Sequence, residues 1–140
     1  MSRALLDTDI LSEVLKNCDA TVARAAADYL AKHGEFTVSV VSLMEIAYGL
    51  NRAGRTTQLE DFEATLGSTC NVLPFDADAA LLAGRIQAEL EKAGAPIDAA
   101  DVMIAATAIG AHLPVVTGNT AHFAAVQRVG YAVATANWRR

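Results

Sequence analysis

Asp7, Glu45, Asp101 and Asn119 are far apart along the chain, yet each falls at a comparable point of a local pattern. Asp7 closes the apolar run ALL, Glu45 lies in the first turn of a helix that follows the run FTVSVVS, and Asn119 follows VVTG. Asp101 opens the helix that precedes this last run. In an α/β fold such positions converge beyond the carboxyl ends of the strands, where ligands bind. Three carboxylates gathered there repel one another unless a cation is present. Hard oxygen donors suit Mg²⁺ or Mn²⁺, which keep several waters and recruit phosphate oxygens. Such ions generate a hydroxide-like nucleophile and stabilise charge on a phosphodiester, so metal-dependent phosphodiester hydrolysis is the chemistry this set would perform.

The elements that must position these residues can be read from the change of period. ALLD reads as a short buried strand, and TDILSEVLKN takes helical spacing with Ile10, Leu11, Val14 and Leu15 on one face. Asp19 is placed as N-cap of a second helix, TVARAAADYLAKH, which Gly34 ends. EFTVSVVS supplies a β-branched strand, SLMEIAYGLNRAG a helix closed by Gly54, and QLEDFEATLGS a short helix. CNVLPF is a further strand, stopped by Pro74 and Asp76. DADAALLAGRIQAELEKAG and DAADVMIAATAIGAHL are helical, with Gly94 and Pro96 between them, and LPVVTGN is the last clear strand before the less defined tail FAAVQRVGYAVATANW. Strands alternating with helices imply a parallel sheet covered on both faces. With no repeat, low-complexity tract or long linker, residues 1–140 are expected to form one α/β domain.

Composition narrows the function. At 140 residues, 53% hydrophobic and 19% charged, the chain is of single-domain size and globular type. The most hydrophobic stretch, VMIAATAIGAHLPVV, is broken by Gly110, His112 and Pro114, so no membrane span is expected. MSRALLDTD reaches a carboxylate too early for a secretory signal, and a cytoplasmic location is expected. Cys18 and Cys70 are isolated, which argues against zinc and for buried or half-buried thiols. A net charge of −5 speaks against nucleic-acid binding through the overall field and leaves only a local patch.

Each acid also has a purely structural explanation. Ser42-Leu43-Met44-Glu45 fits a capping box. Asp98 fits an N-cap with Asp101 as a first-turn acid, and Asp7 and Asp9 could simply start the first helix. Asp7 fits this account least, because it directly follows Leu5 and Leu6 in a strand expected to be central.

These blocks resemble a known family. LLDTDILSE resembles the opening of PIN-domain ribonucleases, SLMEIAYGL their glutamate-bearing second motif, and PIDAADVMIAATAIGAHLPVVTGNTAHF their C-terminal half. Order and spacing over nearly the whole chain resemble the VapC branch, the toxins of type II toxin–antitoxin systems. The resemblance implies a single PIN-like domain with a central parallel β-sheet flanked by α-helices. It implies that Asp7, Glu45 and Asp101 bind an Mg²⁺ or Mn²⁺ ion and catalyse, with Asn119 as a fourth catalytic residue and Thr8 and Thr117 as nearby hydroxyls. Asp98 is kept as an outer group or N-cap. His122 departs from the acid common at its place and is read as a surface turn residue, while His33 and His112 lie near helix ends.

The reading implies a metal-dependent endoribonuclease. Arg52 and Arg55, and Arg139 and Arg140 with Trp138 to stack on a base, are candidates for RNA contact; Arg24 and Arg85 offer a different face. A homodimer held inactive by a VapB-like antitoxin, in a toxin–antitoxin hetero-oligomer, is the implied assembly. Two alternatives remain at this level: a haloacid-dehalogenase-like phosphatase, suggested by Asp7-Thr8-Asp9, and a catalytically inactive PIN-like binding module. Leu11 and the settings of Lys16, Lys32 and Lys92 fit the phosphatase pattern poorly, and a phosphoreceiver domain would need an Asp where CNVLPF ends in Phe75.

Overall fold

Leu5 and Leu6 are both completely buried, yet they belong to different cores. Leu5 packs with Ile86, Leu90, Ile104 and Phe123, whereas Leu6 packs with Ile10, Val22, Tyr29 and Val38. Val115 and Val116 divide in the same way. Successive strand residues point to opposite faces, so strands apolar on both faces require helices on both sides of the sheet.

A computed structural model describes residues 2–139 and shows that arrangement. The order is β1 (Leu5–Leu6), α1 (Thr8–Lys16), α2 (Ala20–His33), β2 (Phe36–Ser39), α3 (Val40–Arg52), α4 (Thr56–Thr69), β3 (Cys70–Leu73), α5 (Ala77–Lys92), α6 (Ala99–Gly110), β4 (Val115–Val116), α7 (Thr120–Arg128) and β5 (Thr135–Ala136). The five strands are parallel in the order β3-β2-β1-β4-β5. Leu5 lies opposite Thr37 on one side and Val115 on the other. Backbone bonds extend the ladders past these short strands, from Asp7 N–H to the Val116 carbonyl at 2.9 Å and from Thr117 N–H to that of Ala136 at 2.8 Å.

Local chemistry explains most boundaries. Asp19 caps α2 through Thr21 and Val22 N–H, Asp76 caps α5 through Ala79 N–H, and Gly34 ends α2 at a φ of 80° that favours glycine. α6 is apolar nearly all round, as a helix sandwiched in a core must be, and packs most closely on α5.

Some expectations are corrected. The strand read through Ser42 stops at Ser39, whose hydroxyl caps α3 by accepting from Val41 N–H. Val40 and Val41 are β-branched but helical, and Ser42 is a buried helix residue rather than the cap. Asp98 stands at the N-cap position of α6 without a side-chain capping bond. The undefined tail forms α7 and β5, and Cys18 is exposed while Cys70 is half-buried. Among the described residues no helix is long and apolar enough to cross a membrane.

Candidate active site

β1 lies between β2 and β4, so the chain proceeds outward from it in opposite directions. The crevice beyond the carboxyl ends of β1 and β4 is the topological switch point, where doubly wound sheets bind ligands. Asp7 leaves β1 there, and Thr117, Gly118 and Asn119 leave β4. α3 and α6 bring Glu45 and Asp101 to the same place. Asp7, Thr8, Asp9, Glu45, Asp98, Asp101 and Asn119 line one cleft of about 400 Å³. All four residues singled out from the sequence are thus together.

Asp7, Glu45, Asp9 and Asp101 are each held by a donor from another part of the chain. Asp7, only 2% exposed, accepts from Thr8 N–H at 2.8 Å through Oδ1 and from the buried Thr117 hydroxyl at 2.7 Å through Oδ2. Thr117 Oγ1 in turn accepts from Asn119 N–H at 2.8 Å, shaping the turn after β4. Thr8 donates its hydroxyl to Glu45 Oε1 at 2.6 Å, and its Oγ1 lies 2.9 Å from that of Ser42. A threonine has one hydroxyl proton; with that proton on Glu45, Ser42 donates the second bond. Asp9 accepts from Gly118 N–H at 2.8 Å and faces the Arg139 guanidinium at 3.5 Å. Asp101, nearly buried at the start of α6, contacts His122 Nδ1 through Oδ2.

Burial pushes the Asp7 carboxyl up to about 7, and the negative charges of Asp9 and Asp101 push the same way; the bonds from Thr117 and Thr8 oppose them. Asp7 therefore gives up its proton less readily than an ordinary carboxyl, and a nearby cation would favour its ionised form. Among the described residues no three His, Cys, Asp or Glu side chains are grouped as a ready metal cage, and Asp7, Glu45 and Asp101 each have an oxygen engaged by a donor. The donor set nevertheless fits a hard divalent cation: carboxylate oxygens dominate the cleft, and its most buried acid carries the uncompensated cost.

Residues 4–129 match the PIN domain family. The chain belongs to the PIN-domain family. Over 99% of both chains it is 34% identical to the tRNA(fMet)-specific endonuclease VapC of Shigella flexneri, and over 88% of its length (91% of the relative) it is 31% identical to the protein of that name from Salmonella typhimurium. Its fold superimposes on a chain of the DNA-bound VapBC crystal structure from Salmonella typhimurium with a TM-score of 0.81, 28% identity and 99% coverage of each chain. These relatives put it on the VapC branch of the family, as the sequence motifs implied.

Against the sequence reading, this VapC-type PIN domain differs in several residues. His122 is not a bystander in a surface turn but the partner of Asp101, brought there by the first turn of α7. Ser42, read as a cap, joins the hydroxyl chain to Glu45. Trp138 is buried against Tyr29 and Phe36, so it is no platform for a base, and Arg139 pairs with Asp9 and Glu13. Arg24, Arg52, Arg55 and Arg85 are exposed; Arg140 lies outside the described residues. Asp98 is exposed at the rim of the cleft. The His122 contact had no signal of its own in the sequence, because a lone histidine near a helix start carries no pairing information.

Proposed function

We propose that this VapC-type PIN domain is the toxin of a type II toxin–antitoxin pair and hydrolyses RNA phosphodiesters with the help of Mg²⁺ or Mn²⁺. The observation that carries the reading is the convergence of Asp7, Glu45, Asp101 and Asn119 in one cleft at the switch point. The relatives named for tRNA(fMet) cleavage support transfer RNA as the substrate class, and an RNA substrate agrees with a cytoplasmic location.

Asp7, Glu45 and Asp101 would hold the cation. When bound, the ion supplies Lewis acidity toward a phosphoryl oxygen and a more acidic water. Thr117 and Thr8 fix Asp7, and the Ser42–Thr8 pair fixes one oxygen of Glu45, so these carboxylates are oriented before substrate arrives. Asn119 stands exposed at the mouth, with an amide able to donate to a phosphate oxygen or accept from water.

The partner is a VapB-like antitoxin. A second groove of about 190 Å³, lined by Leu15, Ile46, Leu50 and Phe62, shares Ser12, Ile46 and Leu50 with the acidic cleft. An antitoxin segment laid along it as an apolar helix would run directly to the acids. A homodimer is the assembly of the toxin itself, and Val40, Met44 and Tyr48, exposed at four-residue intervals along α3, form an apolar stripe for it to cover.

The deciding experiment compares antitoxin-free wild type with Asp7→Asn and Asp101→Asn for cleavage of total RNA and purified tRNA in Mg²⁺, Mn²⁺ or EDTA. Metal-dependent cleavage lost in both variants, with the fold unchanged by circular dichroism, is expected. Activity in either variant would sink the assignment. Turnover of a phosphomonoester alone would favour the phosphatase, and Mn²⁺ binding without any cleavage the inactive module.

A further inference from the structure

His122 is on the first turn of α7, and its Nδ1 meets Oδ2 of Asp101, a residue from the first turn of α6. The two ends differ in environment: the Asp101 side chain is 10% exposed, that of His122 36%. His122 does not line the acidic cleft, whereas Asp101 does. The imidazole therefore approaches the carboxylate from outside the cleft. One oxygen, Oδ2, is taken up by the ring, and Oδ1 has no hydrogen-bond partner among the described residues.

An ionised Asp101, the form that binds a cation, only accepts, so the bond then requires the tautomer with the proton on Nδ1, and the ring donates it. A buried carboxylate with one donor on one oxygen cannot turn about its terminal torsion without breaking that bond. The remaining oxygen, without a donor of its own among the described residues, is the one left for a cation in the cleft that Asp101 lines.

We infer that His122 is a positioning residue for the metal site: it holds Asp101 by Oδ2 and makes it a one-oxygen ligand through Oδ1. The inference rests on the metal reading of the cleft given above. It does not make His122 a ligand, nor a group that touches RNA. Losing the donor leaves Asp101 to be ordered by the cation itself, and the loss of such outer partners typically lowers metal affinity by about 10–100-fold.

The chemistry of the contact dictates the variants. In asparagine the amide nitrogen stands two bonds from Cβ, as Nδ1 does in histidine, so His122→Asn keeps the donor in place. In glutamine the amide is one bond further out, and in alanine it is absent. The experiment is calorimetric titration of the antitoxin-free protein with Mn²⁺, for wild type, His122→Ala, His122→Gln, His122→Asn and Asp7→Asn, with melting temperatures in EDTA measured alongside.

Expected is a weakening of Mn²⁺ binding by about tenfold or more in His122→Ala and His122→Gln. His122→Asn should stay within about threefold of wild type, and the metal-free melting temperatures should be little changed. A general loss of structure would instead lower the melting temperature of all three and give asparagine no advantage. Wild-type Mn²⁺ affinity in His122→Ala, or equal losses in the asparagine and glutamine variants, overturns the positioning role while leaving the metal site intact. Failure of wild type to bind Mn²⁺ any better than Asp7→Asn overturns the metal reading and this inference with it.

Discussion

Thr117 and Asp7, 110 residues apart in sequence, are joined by a buried 2.7 Å hydrogen bond from the threonine hydroxyl to Oδ2. The same Thr117 oxygen accepts the Asn119 amide, so one side chain fixes an acid from β1 and the turn after β4. Thr117→Val keeps the shape and removes both bonds. It is expected to destabilise the metal-free protein by about 1–3 kcal/mol, because a buried acceptor loses its donor and a backbone N–H its acceptor. Urea denaturation in EDTA measures this, and Thr117→Ser should recover most of the loss.

Asp7 makes stability depend on pH in an unusual direction. Its carboxyl moves from 3.8 to about 7 on folding, so between these values the folded state binds more protons than the unfolded. Stability from this group is fully present below about 4 and is lost as pH rises through about 7. A rise of that size corresponds to something on the order of 4 kcal/mol. Metal-free wild type should therefore melt at a lower temperature at pH 8 than at pH 5, and Asp7→Asn should flatten the profile and be the more stable protein at pH 8. Mn²⁺ should raise the wild-type melting temperature most at the alkaline end, where Asp7 is asked to ionise.

Gly118 is crowded by the ends of two side chains. A Cβ there would stand 2.5 Å from Arg139 Nη1 and 2.6 Å from Asp9 Oδ2, although its φ is not in the left-handed region. Gly118→Ala must push the guanidinium aside and disturb the acceptor of its own N–H. A destabilisation of about 1–2 kcal/mol is expected. Removing the long side chain with Arg139→Ala relieves part of the conflict, so the cost of Gly118→Ala should shrink by about 0.5–1 kcal/mol in that background, measured as a double-mutant cycle. Strict additivity would show that the three groups are not in contact.

Trp138 is expected to act on stability and not on RNA. It is 6% exposed and packs against Tyr29 and Phe36, while the Tyr29 hydroxyl bonds to the backbone of Ala4 at the entry to β1. Trp138→Ala should cost about 3–5 kcal/mol, as truncation of a buried aromatic does. The RNA-concentration dependence of cleavage by the folded fraction should be unchanged. A weaker affinity for RNA without loss of stability would restore the base-stacking role.

Much of this architecture is legible because burial on two faces leaves a particular mark. Leu5-Leu6 and Val115-Val116 read as unbroken apolar pairs between helical periods, which is what central parallel strands require. Asp7 follows the first pair directly, Asn119 comes three residues after Val116, and Glu45 and Asp101 stand on the helices beside them. The start of α3 was less legible, because Ser39 and Ser42 are both good caps and Val40-Val41 favours a strand locally; tertiary packing chose Ser39. The ends of contacts that span the chain were not legible at all. Neither the burial of Trp138 near a terminus nor the meeting of His122 with Asp101 leaves a periodic trace, since each depends on where distant elements come to rest.

The placement of β1 between β2 and β4 also governs when the molecule becomes dangerous. A nascent chain emerges from the ribosome with Asp7 first, but the hydroxyl and the backbone edge that fix Asp7 belong to β4 and the turn after it. Until Thr117 has been synthesised and docked, the first carboxylate has no completed cleft to serve. Translation thus delivers Asp7 and Glu45 well before the site, which is complete only once β4 and the turn after it have been made and docked.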